Sequence, residues 1–413
     1  MLVDGFVFLS SFLGCIYPCT ESGFFGKVIK KNVGDHKIPR SKIMEFSVFR
    51  QVLIRALGHM QSIVEKRATL PILVNVKIEV ADDLILSATN VDLELVEHVA
   101  ADITLAGKTT VPVQMLYDIV RKLPDDAEIN FKQSGDQLVV SSGRAVFHLP
   151  TLPAENFPAM AGGNLSTKFQ MTTGDLAHLI NQTKFAIPTD DVRYHLGGIY
   201  FHISEDTGKL TAVATDAQRM ALCAIAAPNG TNGMPSVIIP RRVIGELSKL
   251  LEDANVDDVL VELSDTKARF TVGAATLTSK LVDAQYPNYR VVIPKGNDKI
   301  AILDRKQFVN AVDLVSVASV DKTKSVQLAF SMNKLVISAS SPDAGTATQE
   351  LDVEYNGDAT FTINFNVKFL LDVAGQVEGD KFQMEMQEPL SPTIMKSTEK
   401  DTDALFVLMP MRM

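Results

Sequence analysis

Side chains capable of covalent or hydrolytic chemistry are few in this sequence, and they are scattered. There is no phosphate-binding G-x-x-x-x-G-K-[ST] loop, no G-x-S-x-G turn, no H-E-x-x-H motif and no C-x-x-C pair. Cys15 and Cys19 are separated by three residues, and no other metal ligand lies close to them in sequence. Asp216, His148 and Cys223 remain as catalytic candidates, but isolated acids, histidines and cysteines are more often structural. The sequence therefore predicts a protein that is not an enzyme and needs no cofactor or metal ion.

The composition is that of a globular protein with several domains. The 413 residues are 46% hydrophobic and 22% charged, which suits two to four domains. The net charge of -9 is unusual for a nucleic-acid binder, so any DNA-binding surface must be local. Three cysteines are too few for a disulfide framework. Cys223 lies in an apolar run and is expected to be buried, and a reducing cytoplasm fits best.

The first 43 residues differ from the rest. Their apolar stretches are short and are broken by serines and Gly14, so no membrane-spanning helix is predicted. The first charge is Asp4, whereas a signal peptide begins with positive charge. We expect residues 1–43 to be an N-terminal extension that is disordered or precedes the true start at Met44. No membrane association is predicted.

From Met44 onward one pattern occurs three times. Apolar residues at helical spacing predict a first helix near residues 49, 172 and 304 and a second near 112, 240 and 366. Alternating runs between them predict paired strands. His195 and His202, seven residues apart in strand-like sequence, should then face opposite sides.

The period of about 123 residues indicates repeated domains rather than short structural repeats. We predict an α+β fold of three repeated domains at 44–166, 167–297 and 298–413, each with two helices backed by antiparallel sheets. Three unrelated α+β domains are the alternative.

Positive charge is concentrated in the predicted helices. The six helical windows carry +5 together, so the rest of the chain carries -14. If all six helices face one surface, that surface attracts phosphates while the remainder repels them. The alternative is that helices favour Arg and Lys for their helix propensity alone.

Seven short blocks occur in order along the repeat: 67–73 (RATLPIL), 89–95 (TNVDLEL), 142–144 (SGR) with 151–158 (TLPAENFP), 191–198 (DVRYHLGG), 213–221 (VATDAQRMA), 279–283 (SKLVD) with 286–289 (YPNY), and 409–412 (MPMR). Together they resemble the bacterial DNA sliding clamps, the beta subunit of DNA polymerase III. The resemblance covers Met44 to Met413 and stops short of residues 1–43.

The resemblance implies a processivity factor for the replicative DNA polymerase. Two three-domain subunits would join head to tail into a ring of six domains, half of which this chain supplies. The homodimer would encircle duplex DNA and slide on it without sequence specificity. The implied partners are the polymerase catalytic subunit, a clamp loader, and other DNA polymerases and repair proteins that carry short peptide motifs.

The resemblance also implies site residues. DNA contacts fall at Arg67, Gln114, Asp190, Tyr194 and His195. Gln114, Asp190 and His195 stand where some relatives carry Arg, Gln and Tyr, and an acid at 190 is a poor phosphate contact. The alternative for His195 is a strand residue without a role in DNA binding.

A partner-peptide pocket is implied near the C-terminus, with the arginines orienting the peptide. Val291 stands where some relatives carry Arg, which would alter peptide preference. The alternative is that these apolar residues only pack the last strand. The implied pocket residues are Leu196, Thr215, Ala217, Arg219, Met220, Pro287, Val292, Thr393, Val407, Met409, Pro410, Met411 and Arg412.

The implied dimer contact joins the first domain of one chain to the third domain of the other. Arg144 and Phe147 are candidates on one side, and Val317 and Ala318 on the other. Two other functions remain open on the residues alone: a multidomain adaptor that does not bind DNA, and a hydrolase using Asp216 or His148. The arrangement of the six helices separates the first of these from a clamp.

Overall fold

The fold is known from a computed structural model that describes residues 44–65, 69–160, 162–190, 192–319, 324–357, 359–399 and 402–412. The predicted extension 1–43 and Arg67 lie outside the described residues. The domains are called first, second and third in chain order, and their predicted limits remain predictions.

The three domains repeat one order of elements. The first comprises β1 (Glu45–Phe49), α1 (Arg50–Ile63), β2 (Asn75–Val80), β3 (Leu84–Thr89), β4 (Leu93–Val99), β5 (Asp102–Leu105), β6 (Gly107–Pro112), α2 (Val113–Lys122), β7 (Glu128–Ser134), β8 (Gln137–Ser142) and β9 (Ala145–Pro150). The second comprises β10 (Thr167–Thr172), α3 (Thr173–Thr183), β11 (Gly198–Ile203), β12 (Leu210–Thr215), β13 (Arg219–Ile225), β14 (Val237–Pro240), α4 (Arg241–Asp253), β15 (Asp258–Leu263), β16 (Lys267–Val272) and β17 (Ala275–Lys280).

The third domain follows the same plan. It comprises β18 (Lys299–Asp304), α5 (Arg305–Ser316), β19 (Ser325–Ser331), β20 (Lys334–Ser341), β21 (Gly345–Asp352), β22 (Glu354–Tyr355), β23 (Phe361–Asn366), α6 (Val367–Gln376), β24 (Lys381–Met386), β25 (Thr393–Ser397) and β26 (Ala404–Leu408). The prediction of a threefold repeat with two helices per copy is confirmed.

Local sequence explains where the helices begin. Thr172 caps α3 by accepting a hydrogen bond from the Asp175 backbone N–H at 2.9 Å, and Asp304 caps α5 in the same way. Pro112 directly precedes α2 and Pro240 directly precedes α4, and the proline ring fixes the backbone angle φ at both positions. Each helix buries one apolar stripe, such as Leu53, Leu57 and Met60 in α1.

Each domain contributes two groups of four strands. The first group is the strand before the first helix plus the three strands after the second helix: β1-β7-β8-β9, β10-β15-β16-β17 and β18-β24-β25-β26. The second group lies between the helices: β6-β2-β3-β4, β14-β11-β12-β13 and β23-β19-β20-β21. Short β5 and β22 extend the first group in the first and third domains.

The sheets run through the domain junctions. Strand β17 pairs with β4, which makes an eight-stranded sheet from the first two domains. Strand β26 pairs with β13, which makes a nine-stranded sheet from the second and third. The equivalent strands β9 and β21 are left at sheet edges. The alternation of apolar residues alone does not predict this continuity.

The helices form a continuous row on one side of these sheets. Helix α1 packs against α2 in its own domain and α4 in the next, and α4 packs against α3. His178 and Gln182 of α3 reach Glu378, just after α6, at 3.2 and 3.0 Å, and α6 packs against α5. The row therefore runs α2, α1, α4, α3, α6, α5. Among the described helices, none is long and apolar enough to cross a membrane.

Candidate functional site

A small apolar cluster lies apart from the main core, on the nine-stranded sheet. Its buried members are Leu196, Val213, Met220, Ile238, Tyr286, Tyr289 and Val407. Met220 and Val407 are directly opposite each other in the β13–β26 register and so project from the same face. Their strand neighbours Ala221 and Phe406 belong to the main core on the helix side. The cluster therefore lies on the face away from the helices, at the junction of the second and third domains.

Aromatic rings form one side of this cluster. Tyr200 and Tyr286 stack with centroids 4.6 Å apart, and Tyr200 also stacks on His202 at 4.8 Å. The His202 ring nitrogen Nε2 lies 2.9 Å from the Tyr289 hydroxyl. Burial lowers the pKa of His202 and raises the pKa of both Tyr286 and Tyr289. The wall is therefore neutral around pH 7, which suits an apolar ligand.

A tight turn and the C-terminal tail border the cluster. In the turn, the Thr215 hydroxyl donates to the Arg219 carbonyl at 2.8 Å, and Ala217 takes a left-handed φ of 72°. The Met409 N–H donates to Gln218 at 2.9 Å and the Met411 N–H to Asn364 at 2.8 Å. These bonds hold the tail across β13 and β23. Met409, Pro410 and Met411 are half-buried and Arg412 is exposed.

The structure brings most of the predicted pocket residues to this region. Leu196, Met220 and Val407 belong to the cluster, Thr215 and Ala217 form the turn, and the tail lies alongside. Pro287 and Val292 are exposed and flank Tyr289 in the chain. Sequence reasoning missed Tyr286, Tyr289, Val213, Ile238 and the aromatic stack, although the block 286–289 had been noted for the resemblance.

Arg219 requires a correction. It is only 7% exposed, and its guanidinium lies on the helix side, where it pairs with Asp216 at 3.1 Å and with Asp372. It also donates to the Phe185 carbonyl at 2.9 Å and lies over the Phe185 and Phe369 rings. Strand alternation explains this, because Arg219 and Met220 are adjacent and face opposite sides. The arginine ties the second domain to the third, and these contacts hold its guanidinium on the face opposite Met220.

Thr393 shares that face. It lies opposite Leu408, which lies opposite Arg219 in turn, so its side chain projects toward the helix side at the end of the sheet. Its hydroxyl is buried and has no hydrogen-bond partner among the described residues. The structure thus places Thr393 away from the Met220 side of the cluster.

The described members of the predicted DNA contacts lie in two places, on α2 and in the segment just before β11. Gln114 is exposed on α2 and donates to Asp118 at 3.2 Å. Asp190 is exposed and pairs with Arg193 at 2.8 Å, and the hydrogen bond from Arg193 holds the pKa of Asp190 below its usual range. Tyr194 is 62% exposed. His195 lies in the one-turn helix Tyr194–Leu196, so its predicted strand position opposite His202 is wrong.

The predicted dimer residues divide by exposure. Arg144 is exposed in the turn before β9, and Phe147 is half-buried on that edge strand. Val317 is 77% exposed just after α5, whereas Ala318 is buried against the core. Val317 is thus accessible in the single chain and Ala318 is not, and the dimer contact of these residues stays a prediction.

Asp216 and Cys223, two of the catalytic candidates, have structural surroundings. In the described ranges, no three His, Cys, Asp or Glu side chains converge as metal ligands. Asp216 accepts hydrogen bonds from Arg219 and from the backbone of its own turn. Cys223 is buried, as predicted, and burial raises its thiol pKa to about 12.

Comparisons with known proteins agree with this architecture. Family models of the DNA polymerase III beta subunit match residues 44–161 as the N-terminal domain, 170–288 as the central domain and 290–412 as the C-terminal domain. The chain is 42% identical to the beta sliding clamp of Caulobacter vibrioides over 374 residues, which is 89% of this chain and all of that protein. It is 35% identical to the beta sliding clamp of Escherichia coli over 90% of this chain and all of that one.

Solved structures give the same result. A sliding clamp from Bartonella birtlesii bound to griselimycin superposes with a TM-score of 0.87 at 41% identity, covering 90% of this chain and 100% of that one. A beta sliding clamp from Caulobacter crescentus superposes with a TM-score of 0.86 at 42% identity and the same coverage. With three family domains in order and these relatives, the chain belongs to the DNA polymerase III beta subunit family, the bacterial beta sliding clamps.

Proposed function

We propose that two copies of this chain close into a ring around duplex DNA and act as the processivity factor of a replicative polymerase. The observation that carries the proposal is the repeated junction. Two junctions are formed within the chain, and the strands that would form a third, β9 and β21, are left at sheet edges. Because the same two surfaces recur in every domain, a second copy completes the series by joining β9 to β21 twice, head to tail.

The internal junctions support a definite register for this contact. The third residues of β17 and β26, Leu277 and Phe406, pair with Leu95 and Ala221. The third residue of β9 is Phe147. In the preceding strands, Leu95 lies opposite Ala88, and Ala221 lies opposite Ala214. In the third domain, Ala347 of β21 lies opposite Ala339 in the same way, so Ala347 is the residue equivalent to Leu95 and Ala221. We therefore pair Phe147 of one copy with Ala347 of the other, and Val146 with Thr348.

The helices support the same arrangement. His59 and Gln182 occupy the same position, nine residues after the first residue of α1 and of α3. Each contacts the next domain, His59 through Asp253 and Gln182 through Glu378. The equivalent residue of α5 is Leu314, which is 62% exposed. Val317, three residues later, is equivalent to Ser62 and Phe185, which contact the next domain through Glu246 and Phe406. An exposed apolar pair at a contact position favours a partner's α2 as its cover.

A ring of this kind holds DNA by topology, so it needs little affinity and no sequence recognition. The row of helices, positive within an acidic chain, supports a DNA-facing side. The cluster around Met220 supports a pocket for apolar peptide motifs, since methionine and aromatic side chains adapt to several ligands. We further propose a cytoplasmic protein without catalytic activity.

Retention on DNA tests the ring. The protein is loaded by its clamp loader onto a nicked circular plasmid, and retention is measured by gel filtration before and after the plasmid is linearised. We expect retention on the circle and loss from the linear product. Equal retention on both would exclude a topological link and favour a simple DNA binder, whereas no retention on either would favour the adaptor.

A further inference from the structure

The segment 281–298 connects β17 to β18 and carries one wall of the apolar cluster. Tyr286 and Tyr289 are its buried members, and Pro287 and Val292 are the exposed residues beside them. Among the described backbone groups of this segment, none beyond residue 282 bonds to the strands of the second domain. The position of the wall therefore depends on what its side chains contact.

His202 on β11 reaches both buried tyrosines of the wall, one directly and one through a stacked ring. Its Nε2 lies 2.9 Å from the Tyr289 hydroxyl. Its ring stacks on Tyr200, which in turn stacks on Tyr286 with the ring planes 2° apart. The neighbouring Phe201 belongs to the main core, so His202 projects from the cluster face of the sheet. His202 is only 5% exposed and therefore supports the wall from beneath.

The contact between His202 and Tyr289 depends on the charge of the imidazole. A neutral imidazole has one nitrogen that accepts a hydrogen bond, whereas a protonated imidazole donates from both nitrogens. Burial raises the pKa of Tyr289, so its hydroxyl keeps a proton that neutral His202 can accept. Arg290 lies over the Tyr289 ring at 5.8 Å. A charged His202 would leave the tyrosine proton without its acceptor and would repel this guanidinium.

The groups around His202 favour its neutral form at pH 7. Burial and the positive charge of Arg290 lower the pKa of His202, while Glu205 acts in the opposite direction. The charge of Arg290 is itself balanced in part by Asp206, at 3.6 Å. His202 therefore becomes charged only in acid, below the usual range for a histidine.

We propose that His202 is a positioning residue for the peptide pocket, which holds Tyr289 and Tyr286 in the wall while it is neutral and loosens the wall when it is protonated. The inference rests on the proposed function, in which this cluster binds apolar peptide motifs, and it adds a control of that binding by acid. The exposed Pro287 and Val292 flank Tyr289, so a displaced Tyr289 would move the residues that a peptide meets first.

Calorimetric titration with the acetylated peptide Leu-Ala-Leu-Phe, at pH 7.5 and at pH 5.0, tests this. The probe suits an apolar pocket, and its terminal carboxylate does not titrate in this range. Wild-type affinity should fall roughly fivefold in acid, about the effect of one lost hydrogen bond. H202Q keeps a hydrogen-bonding group but cannot become charged. It should bind within about threefold of wild type at pH 7.5 and no longer respond to acid.

Two further variants sharpen the test. Y289F removes the hydroxyl that His202 contacts, so it should bind roughly fivefold more weakly at pH 7.5 and lose most of the response to acid. The control is H98Q in the first domain, where His98 is exposed and lies 3.4 Å from Asp83. H98Q should keep both the affinity and the pH dependence of the wild type.

The outcomes separate His202 from the pocket and from the ring. Wild-type affinity that is equal at both pH values, or a response to acid that persists in H202Q, would overturn the role of His202 and leave the pocket standing. If wild type does not bind the probe at pH 7.5, the pocket fails and the role of His202 fails with it. H202Q should be retained on circular DNA like the wild type. Loss of both retention and peptide binding would assign His202 to the fold rather than to the wall.

Discussion

The junction between the first and second domains and the uncovered end of the third present equivalent surfaces with opposite chemistry. At the junction, His59 is 7% exposed and lies 3.0 Å from both Glu97 and Asp253, and Ser62 contacts Glu246. At the uncovered end the same helical positions carry Leu314 and Val317.

The difference reflects whether the two surfaces belong to one chain or to two. Within a chain the two surfaces are tethered, so polar groups can be buried in pairs whose function is alignment rather than affinity. Between two chains the contact must overcome the loss of translational freedom, which apolar burial does best. The same backbone thus carries an ionic junction inside the chain and an exposed apolar surface at its end.

Placing charge at the uncovered end gives the largest expected effect. L314E/V317E should weaken the dimer by about 4 kcal/mol, roughly a thousandfold, if both residues are central contacts. Sedimentation velocity across a dilution series measures this. M332E, an exposed apolar residue at the β19–β20 turn, should leave the dimer intact. A dimer unchanged in the double variant would place the interface elsewhere.

Removing Arg219 breaks the other internal junction. R219M leaves Asp216 and Asp372 without their cation and should cost about 3 kcal/mol of unfolding free energy. R219K should recover only part of it, since an ammonium lacks the planar fork. Urea unfolding measures both. R269M, in a longer 3.7 Å pair with Glu262, should cost under about 1 kcal/mol; equal losses would deny the junction any special role.

His59 makes the first junction sensitive to pH. Burial opposes its charge, but hydrogen bonds and charge from Glu97 and Asp253 outweigh burial and raise its pKa. The contribution of protonated His59 to the free energy of unfolding is therefore fully present below about pH 6.5, and it declines as pH rises through the pKa of His59 in the folded protein. H59Q, which copies Gln182, should cost about 2 kcal/mol at low pH and less at high pH.

The pH dependence is read as the difference in melting temperature between wild type and H59Q across pH 5 to 9. Arg55 of α1 also reaches this site, where it donates to the backbone carbonyl of Asp253. The control is H178Q on α3, because the partner of His178, Glu378, is half-exposed. The difference in melting temperature between wild type and H178Q should be smaller than that for H59Q. A difference that grows with pH would contradict the charged bridge.

The smallest effect concerns the turns that begin the junction strands. Val91 precedes β4 and Ala217 precedes β13, with left-handed φ values of 79° and 72°. At the uncovered end, Gly345 takes this conformation at the start of β21. V91G should gain up to about 1 kcal/mol by relieving the strain. V256G, at a loop position without positive φ, should instead lose stability in the same urea titration.

Much of the fold could be predicted because the apolar periodicity of the helices and hairpins is local and occurs three times. The sharing of sheets between domains could not, since β17 and β4 are far apart in sequence and pair only in space. The approximate position of the apolar cluster around Met220 was predicted from the resemblance rather than from the residue pattern. The orientation of Arg219 was missed because alternation decides which face it takes, and its partner Asp372 is 153 residues away. The burial of Ala318 could not be predicted, because the turn after α5 places adjacent residues on opposite sides.

The central claim is that β9 of one copy pairs with β21 of another, and a register-specific cross-link tests it most directly. Val146→Cys and Thr348→Cys are placed in one chain and oxidised mildly, beside the parent chain and a shifted pair, Val146→Cys with Glu350→Cys. We expect a covalent dimer from the first pair, resistant to SDS and reversed by reductant, that stays on a nicked circle after denaturation. No covalent dimer, or equal cross-linking of the shifted pair, would contradict it.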